Sequence, residues 1–342
     1  MTTRRLPVYF LLDCSESMIG PAVDSVQSGV ERMISELRQD PQALETASVS
    51  LITFGQGAKQ IMPLTELLAV QIPQLRVGPG TAMGAGLRLL SDCINRDVRK
   101  TTREQKGDYR PLVFLLTDGQ PTDDWESAVD DLWSKTESRI ANIYAVGCGD
   151  DVDYGLLGRV SDIVFRLDEM TSEKMNQLFV WLTASIRSAS ASLGTTGAGS
   201  GIDLSKLPDD VTRVEPGSYT RPTGPPRQVF VDARCSGNRK PYVMRYKLDP
   251  IGGQYYMPSA SHPLEENHSS GGSELQGLDS SLLDGCPACC YCENSGACAC
   301  GCGTVMCIAE PAPASIVCPG CGATLRTSSE SGGGFQVKQS AG

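Results

Sequence analysis

The sequence predicts a doubly wound α/β domain followed by a small cysteine-rich zinc-ribbon domain, and three observations carry that expectation. The first 190 residues alternate short apolar, β-branched runs with segments of helical periodicity. The run Val8-Tyr9-Phe10-Leu11-Leu12 ends on Asp13-Cys14-Ser15-Glu16-Ser17, a D-x-S-x-S pattern at the end of a buried strand. Ten of the fourteen cysteines crowd between Cys286 and Cys321.

Taken in order, Val8–Leu12, Val49–Phe54, Leu112–Leu116 and Ile143–Val146 have the length and composition of strands buried on both faces, as in a mostly parallel sheet. Between the first two, Val23, Val26, Val30, Met33, Ile34 and Leu37 recur at three- and four-residue spacing. That apolar helix face opens at Pro21, a residue suited to a first helical position. Leu87, Leu90 and Ile94 predict a second helix after Thr81. Trp125, Ala128, Val129, Leu132 and Trp133 predict a third, with Thr122 or Asp123 as its N-cap. Met175, Leu178, Phe179, Leu182 and Ile186 mark a closing helix. Composition then shifts. Residues 191–225 read as a flexible linker, 226–260 as a segment holding a β-hairpin, 261–283 as a second linker, 284–325 as a zinc-binding domain, and 326–342 as a disordered tail.

A formal charge of −10 argues against a general nucleic-acid binder, which needs a basic surface to displace counterions. No apolar stretch reaches the ~18 residues of a membrane span. The short basic start breaks at Asp13 with no small-residue cleavage pattern, so no signal peptide is expected. Many cysteines without a secretion signal point to metal ligation in a reducing compartment, hence a cytoplasmic protein.

In a doubly wound sheet, ligands collect outside the carboxyl ends of the strands. Asp13, Ser15 and Ser17 leave the first strand there, Asp118 leaves the Leu112–Leu116 strand, and Thr81 opens a helix after Gly78-Pro79-Gly80. Two carboxylates and three hydroxyls are hard oxygen ligands, suited to Mg²⁺, Mn²⁺ or Ca²⁺ and unsuited to zinc. With few charged ligands the ion keeps an open position for an incoming carboxylate. A helix cap alone accounts for D-x-S-x-S, but not for Thr81 and Asp118 at matching strand and helix ends. The set resembles the metal-ion-dependent adhesion site of the von Willebrand factor A domain, residue by residue, and Leu116–Asp123 resembles that family's fourth-strand segment. The resemblance covers residues 5 to 190 and implies an Mg²⁺-dependent protein-binding module. Glu16 departs from it, standing where a small residue is commoner, and its extra charge bears on metal preference and on acidic ligands.

Cys286-Pro287-Ala288-Cys289 and Cys318-Pro319-Gly320-Cys321 are matched Cys-Pro-x-Cys pairs whose four thiolates suit one tetrahedral Zn²⁺. The 28 residues separating Cys289 from Cys318 exceed the ~15–20 of a simple ribbon. That leaves room for an inner ion on Cys300, Cys302, Cys307 and one of Cys290, Cys292 or Cys298, so one or two zinc ions are expected. Cys14, Cys93, Cys148 and Cys235 read as small apolar or surface residues. An A domain followed by such a block resembles the TerY family of tellurite-resistance proteins. That resemblance implies a cytosolic scaffold in tellurite or chemical-stress phosphosignalling, partnered by a Ser/Thr kinase and a metal-dependent phosphatase.

Two alternatives belong to other classes. A zinc-ribbon nucleic-acid regulator is disfavoured because Asp284–Cys321 contains no Lys or Arg. An Mg²⁺-dependent phosphoryl-transfer enzyme would need a phosphate cradle or a positioned nucleophile, and no G-x-x-x-x-G-K-[ST] loop is present. The expectation is therefore a binding protein and no enzyme, with protein partners and no nucleic acid.

Overall fold

The computed structural model describes residues 4–102, 105–134, 140–149, 151–195, 207–215, 225, 228–249, 253, 255–264, 278–326, 336–337 and 339–340. The chain folds as two compact units, the first drawn mainly from residues 1–223 and the second mainly from residues 224–342.

The first unit is built on β1 (Leu6–Asp13), all eight residues of which are buried. It is followed by α1 (Pro21–Leu37), α2 (Pro41–Thr46), β2 (Ala47–Phe54), β3 (Ala58–Glu66) and α3 (Met83–Asp97). Then come β4 (Leu112–Thr117), α4 (Trp125–Ser134), β5 (Asn142–Cys148), α5 (Tyr154–Val160), β6 (Ile163–Leu167), α6 (Ser172–Thr195) and β7 (Val211–Val214). The seven strands lie in the order β3-β2-β1-β4-β5-β6-β7. The five inner strands are parallel, and β3 and β7 close the two edges antiparallel.

Alternation along each inner strand sends side chains to two cores. Tyr9 and Leu11 of β1, Val113 and Leu115 of β4 and Ala145 of β5 pack with Met83, Leu87 and Leu90 of α3 and Val129 and Leu132 of α4. The opposite face carries Phe10, Phe114 and Tyr144, stacked at 5.2 and 5.6 Å between ring centroids. On that face Phe165 meets Trp181 of α6 edge-on. A Cβ at Gly29 of α1 would fall 2.2 Å from the Phe179 ring, so glycine is what lets α1 and α6 pack this closely. Chain order reverses direction across β1 and β4, which makes their carboxyl ends the switch point of the sheet.

The second unit contains β8 (Gln228–Arg234), β9 (Pro241–Leu248), β10 (Tyr256–Pro263), β11 (Leu278–Asp279), β12 (Gly296–Ala299), β13 (Val305–Ile308), β14 (Ser315–Val317), β15 (Thr324–Arg326), β16 (Gln336–Val337) and β17 (Gln339–Ser340). Its main sheet runs β10-β9-β8-β13-β12, with β17 also paired to β8. The hairpin and the cysteine block are thus one structure, joined where Val305 and Met306 of β13 pair in parallel with Ala233 and Arg234 of β8. Their shared core includes Val231, Tyr242, Met244, Tyr246, Tyr256 and Val305, together with Cys235, Cys289 and Cys307.

Several boundaries therefore move. The linker expected over 191–225 begins inside α6 and contains β7, which pairs with β6 through Val211–Val214. Ile186 and Ala189 are buried on α6, so the Ala/Ser-rich stretch continues the helix. The second linker, 261–283, holds the end of β10 and all of β11; residues 265–277 of it lie outside the described residues. In the tail expected to be disordered, β16 pairs with β11 and β17 with β8; 327–335, 338 and 341–342 lie outside the described residues. The helix-cap assignment also changes. Asp124 accepts from Ser127 N at the start of α4, while Asp123 accepts from Gly84 N and Ala85 N and so caps α3.

Candidate metal centres

The register of β1 and β4 pairs Leu12 with Leu116, which puts Asp13 and Thr117 side by side at the switch point. Asp13 is buried, and its carboxylate accepts from the Thr117 hydroxyl at 2.5 Å. Asp118 follows directly in the loop leaving β4. Beyond Asp13, Cys14 N donates to Phe54 O, extending the β1–β2 ladder into the loop. Ser15 is buried, its hydroxyl lies 2.8 Å from that of Ser17, and Met18 N closes a single turn onto Ser15 O.

Thr81 enters from the loop before α3, and its backbone is fastened at both ends. Thr81 N donates to the Thr122 hydroxyl, Thr122 N donates back to Thr81 O, and the next residue's Ala82 N donates to Gly55 O. Asp123 then caps the first turn of α3. A Cβ at Gly84 would collide with Asp124 O and with Asp123, so the close approach of the two loops depends on glycine there. What remains is the Thr81 side chain. It is fully buried, and among the described residues its hydroxyl finds no protein partner. An orphaned buried hydroxyl costs about 1–3 kcal/mol unless something outside the protein satisfies it. A hard cation beside Asp13 and Asp118 would do so, and the donor set of hydroxyls and carboxylates fits one.

The cysteines of the second unit form two clusters, each of four sulfurs mutually within 4.8 Å. The first is Cys235, Cys289, Cys292 and Cys307; the second is Cys300, Cys302, Cys318 and Cys321. Neighbouring sulfurs stand 3.5–3.7 Å apart. Four thiolates at the ~2.3 Å zinc–sulfur bond length of a tetrahedral site lie about 3.8 Å from one another. A disulfide would need ~2.05 Å, and the cysteines are free thiols.

The same backbone turn builds both clusters. At Cys289, Cys289 N donates to Asn294 O and Glu293 N donates back to Cys289 O. At Cys318 the partners are Ala323 O and Gly322 N, and at Cys235 they are Lys240 O and Arg239 N. Cys300 opens a version one residue shorter, with Thr304 O and Gly303 N. Each turn needs a residue with positive φ, filled by Glu293, Gly322, Arg239 and Gly303. In the second cluster Gly320 lies under Thr304, whose hydroxyl would be 2.1 Å from an added Cβ.

Polar groups lie against two of the sulfurs. Burial pushes the Cys307 thiol up, but the Ser236 hydroxyl and N–H, 3.4 and 3.3 Å from its sulfur, bring it down to about 7. The Thr304 hydroxyl, 3.3 Å from Cys302, holds that thiol at about 6. Cys286 is the opposite case: burial pushes it up to about 11, and its sulfur rests 3.4 Å from Met244 Sδ.

The structure therefore groups the thiols differently from the sequence reading. Cys286, Cys289, Cys318 and Cys321 do not meet: Cys289 belongs to the first cluster, Cys318 and Cys321 to the second, and Cys286 to neither. Cys300, Cys302 and Cys307, expected together, are divided between the two. Cys235, read as a small apolar or surface residue, is the candidate ligand that sequence reasoning missed; the turn-forming Ser236-Gly237-Asn238 behind it was the available signal. Cys286-x-x-Cys289 overlaps Cys289-x-x-Cys292, and the positive φ of Glu293 selects the second pair. Among the described residues no helix is long and apolar enough to cross a membrane.

Two family models match the chain, one in each unit. The von Willebrand factor type A domain model matches residues 8–178, and the TerY-C metal binding domain model matches residues 227–342. Among solved structures the chain is similar to the pilus adhesin SpaC of Lactobacillus rhamnosus GG in its open conformation, at 16% identity and a TM-score of 0.44, over 55% of this chain and 30% of that one. It is similar to the PilB minor pilin of Streptococcus sanguinis, at 14% identity and a TM-score of 0.39, over 54% and 61%. It is also similar to proximal thread matrix protein 1 of the mussel byssus with a zinc-occupied MIDAS motif, at 16% identity and a TM-score of 0.40, over 54% and 48%. The chain spans less than two thirds of the length of each. It belongs to the von Willebrand factor type A domain family and carries, after that domain, a TerY-C metal-binding domain.

Proposed function

We propose that the protein is a metal-dependent protein-interaction subunit and no enzyme. In this reading Asp13, Ser15, Ser17, Thr81 and Asp118 hold a hard divalent cation, Mg²⁺ above Mn²⁺ or Ca²⁺, and a partner's Asp or Glu completes its coordination. The observation that carries the reading is the buried Thr81 hydroxyl at the switch point of the sheet, fastened through its backbone yet lacking a protein partner among the described residues. One Zn²⁺ on Cys235, Cys289, Cys292 and Cys307 and another on Cys300, Cys302, Cys318 and Cys321 hold the second unit together. A cytoplasmic setting in tellurite or chemical-stress phosphosignalling, with a Ser/Thr kinase and a metal-dependent phosphatase as partners, is the part of the proposal that rests on the TerY resemblance alone.

The test uses the full chain as bait in an extract of its own cells, with Mg²⁺ or with EDTA, alongside the Asp118→Ala variant. Proteins retained with Mg²⁺, released by EDTA and missing from Asp118→Ala are the expected result. An identical retained set under all three conditions contradicts it.

A further inference from the structure

Glu16 is the one residue of the D-x-S-x-S stretch, Cys14 aside, that the adhesion-site reading does not use, and it is fully buried. A buried carboxylate is costly unless hydrogen-bonded. Its Oε2 accepts from Gly80 N at 2.9 Å, in a buried contact between residues 64 positions apart. Gly80 has a φ of +74°, a conformation that directs its N–H in a way L side chains rarely allow, and it immediately precedes Thr81. Glu16 itself lies between Ser15 and Ser17, in the short turn closed by Met18 N on Ser15 O and Ile19 N on Glu16 O. A single carboxylate therefore ties the turn carrying two of the hydroxyl ligands to the residue before the third.

We propose that Glu16 is a positioning residue for the metal: its carboxylate oxygen acts as a latch that fixes the Ser15–Ser17 turn against the Gly80–Thr81 backbone, so that the three hydroxyls are in place before the cation arrives. The proposal rests on the adhesion-site reading and adds a role for a residue that contributes no ligand atom to it. The latch works through acceptance of an N–H, so it needs an oxygen at this position and no negative charge. A glutamine presents the same oxygen on the same stem, whereas an alanine leaves Gly80 N without its acceptor. Thr81 keeps its own ties to Thr122 and Gly55 in either variant, so what is lost is the register between the two loops.

The experiment is a calorimetric Mn²⁺ titration of the full-length wild type, Glu16→Ala, Glu16→Gln and Asp118→Ala, each also melted without metal. Glu16→Ala is expected to weaken Mn²⁺ binding roughly ten- to a hundredfold, the range for groups that orient metal ligands. Glu16→Gln is expected to restore affinity to within about threefold of wild type, since the neutral oxygen still accepts the Gly80 N–H. Wild-type affinity in Glu16→Ala, with binding lost in Asp118→Ala, overturns the latch and leaves the metal site standing. Equal weakening in Glu16→Gln and Glu16→Ala also overturns it, because charge and no hydrogen bond is then what Glu16 supplies. If Glu16→Ala does not fold, Glu16→Gln alone decides. Absence of Mn²⁺ binding by the wild type removes the adhesion-site reading itself, and the latch with it.

Discussion

Cys235 and Cys292 stand fifty-seven positions apart in sequence and bring their sulfurs to 3.6 Å. Cys235 directly follows β8 and Cys292 belongs to the turn opened by Cys289, so the contact binds the hairpin to the cysteine block at one point. Together with the pairing of β13 and β8, it makes the hairpin and the cysteine block a single structure in place of a hairpin, a linker and a zinc module.

That contact separates the two possible ligand sets. Protein purified without chelators is expected to carry about two zinc ions per chain. Cys235→Ser is expected to lose one of them, while Cys286→Ser keeps both, because the Cys286 thiol is a core group against Met244. Metal analysis by mass spectrometry reads the difference directly. Loss of zinc in Cys286→Ser with retention in Cys235→Ser reverses the assignment.

Zinc removal should reach well beyond the cysteine block. Val231, Tyr242 and Val305 share a core with Cys235, Cys289 and Cys307, and structural zinc contributes on the order of 10 kcal/mol in small domains. With a zinc-selective chelator, amide exchange should rise together over β8, β9, β12 and β13. The amides of β1, β4 and β5 should stay protected, because that sheet is enclosed by cores of its own. Continued protection of β8 and β9 after zinc is gone would show that the hairpin holds itself.

The second cluster can be broken without touching a sulfur. Gly320→Ala would place a Cβ 2.1 Å from the Thr304 hydroxyl, forcing apart the two turns that carry Cys300, Cys302, Cys318 and Cys321. One zinc should be lost and the other kept. Retention of both would mean that Thr304 moves aside at little cost.

The inner strands β1, β2, β4 and β5 are legible in the sequence, whereas β6, the edge strands and the grouping of the sulfurs are not read from it. β1 and β4 are buried on both faces, so their composition alone marks them, and the ends of such strands are where ligands gather. The edge strands β3 and β7 are only partly buried and lack the continuous apolar run that marks β1 and β4. Asp123 can be recognised as a cap, but which helix it caps depends on the fold bringing α3 and α4 together. In Cys286-Pro-Ala-Cys289-Cys290-Tyr-Cys292 two Cys-x-x-Cys pairs overlap, and only the backbone turn distinguishes them. Cys235 is hidden because the residue three positions after it is Asn238, where the turns opened by Cys289 and Cys318 place a second cysteine, and because its partners come from a distant segment.

The amino-terminal strand has an anchor that acid should weaken. Asp108 accepts from Arg5 Nε, Nη2 and N and from Arg99 N, and the Arg5–Asp108 ion pair is 2.7 Å long. Burial works to raise the Asp108 carboxyl, but the Arg5 guanidinium and the backbone N–H groups hold it below its ordinary value. Its contribution is therefore fully present above the ordinary carboxylate value and is lost as pH falls through the lowered one. Asp108→Asn should cost about 1.5–3 kcal/mol at neutral pH, the worth of charge-assisted hydrogen bonds. The gap between variant and wild type should close in acid, as read by denaturant melts at several pH values. A gap that stays constant into strong acid removes the ion pair as its cause.

The proposed sites give one chain two metal chemistries, a hard cation on oxygen ligands and zinc on two sets of four sulfurs. Anomalous diffraction from crystals of the full chain grown with Mn²⁺ in place of Mg²⁺, collected at the manganese and zinc edges, tests it most directly. The expected result is a manganese peak bonded to the Thr81 hydroxyl among Asp13, Ser15, Ser17 and Asp118. Two zinc peaks are expected with it, one inside Cys235, Cys289, Cys292 and Cys307 and one inside Cys300, Cys302, Cys318 and Cys321. A Thr81 hydroxyl satisfied by a protein group with no manganese beside it, or a single zinc bridging Cys286, Cys289, Cys318 and Cys321, would contradict it.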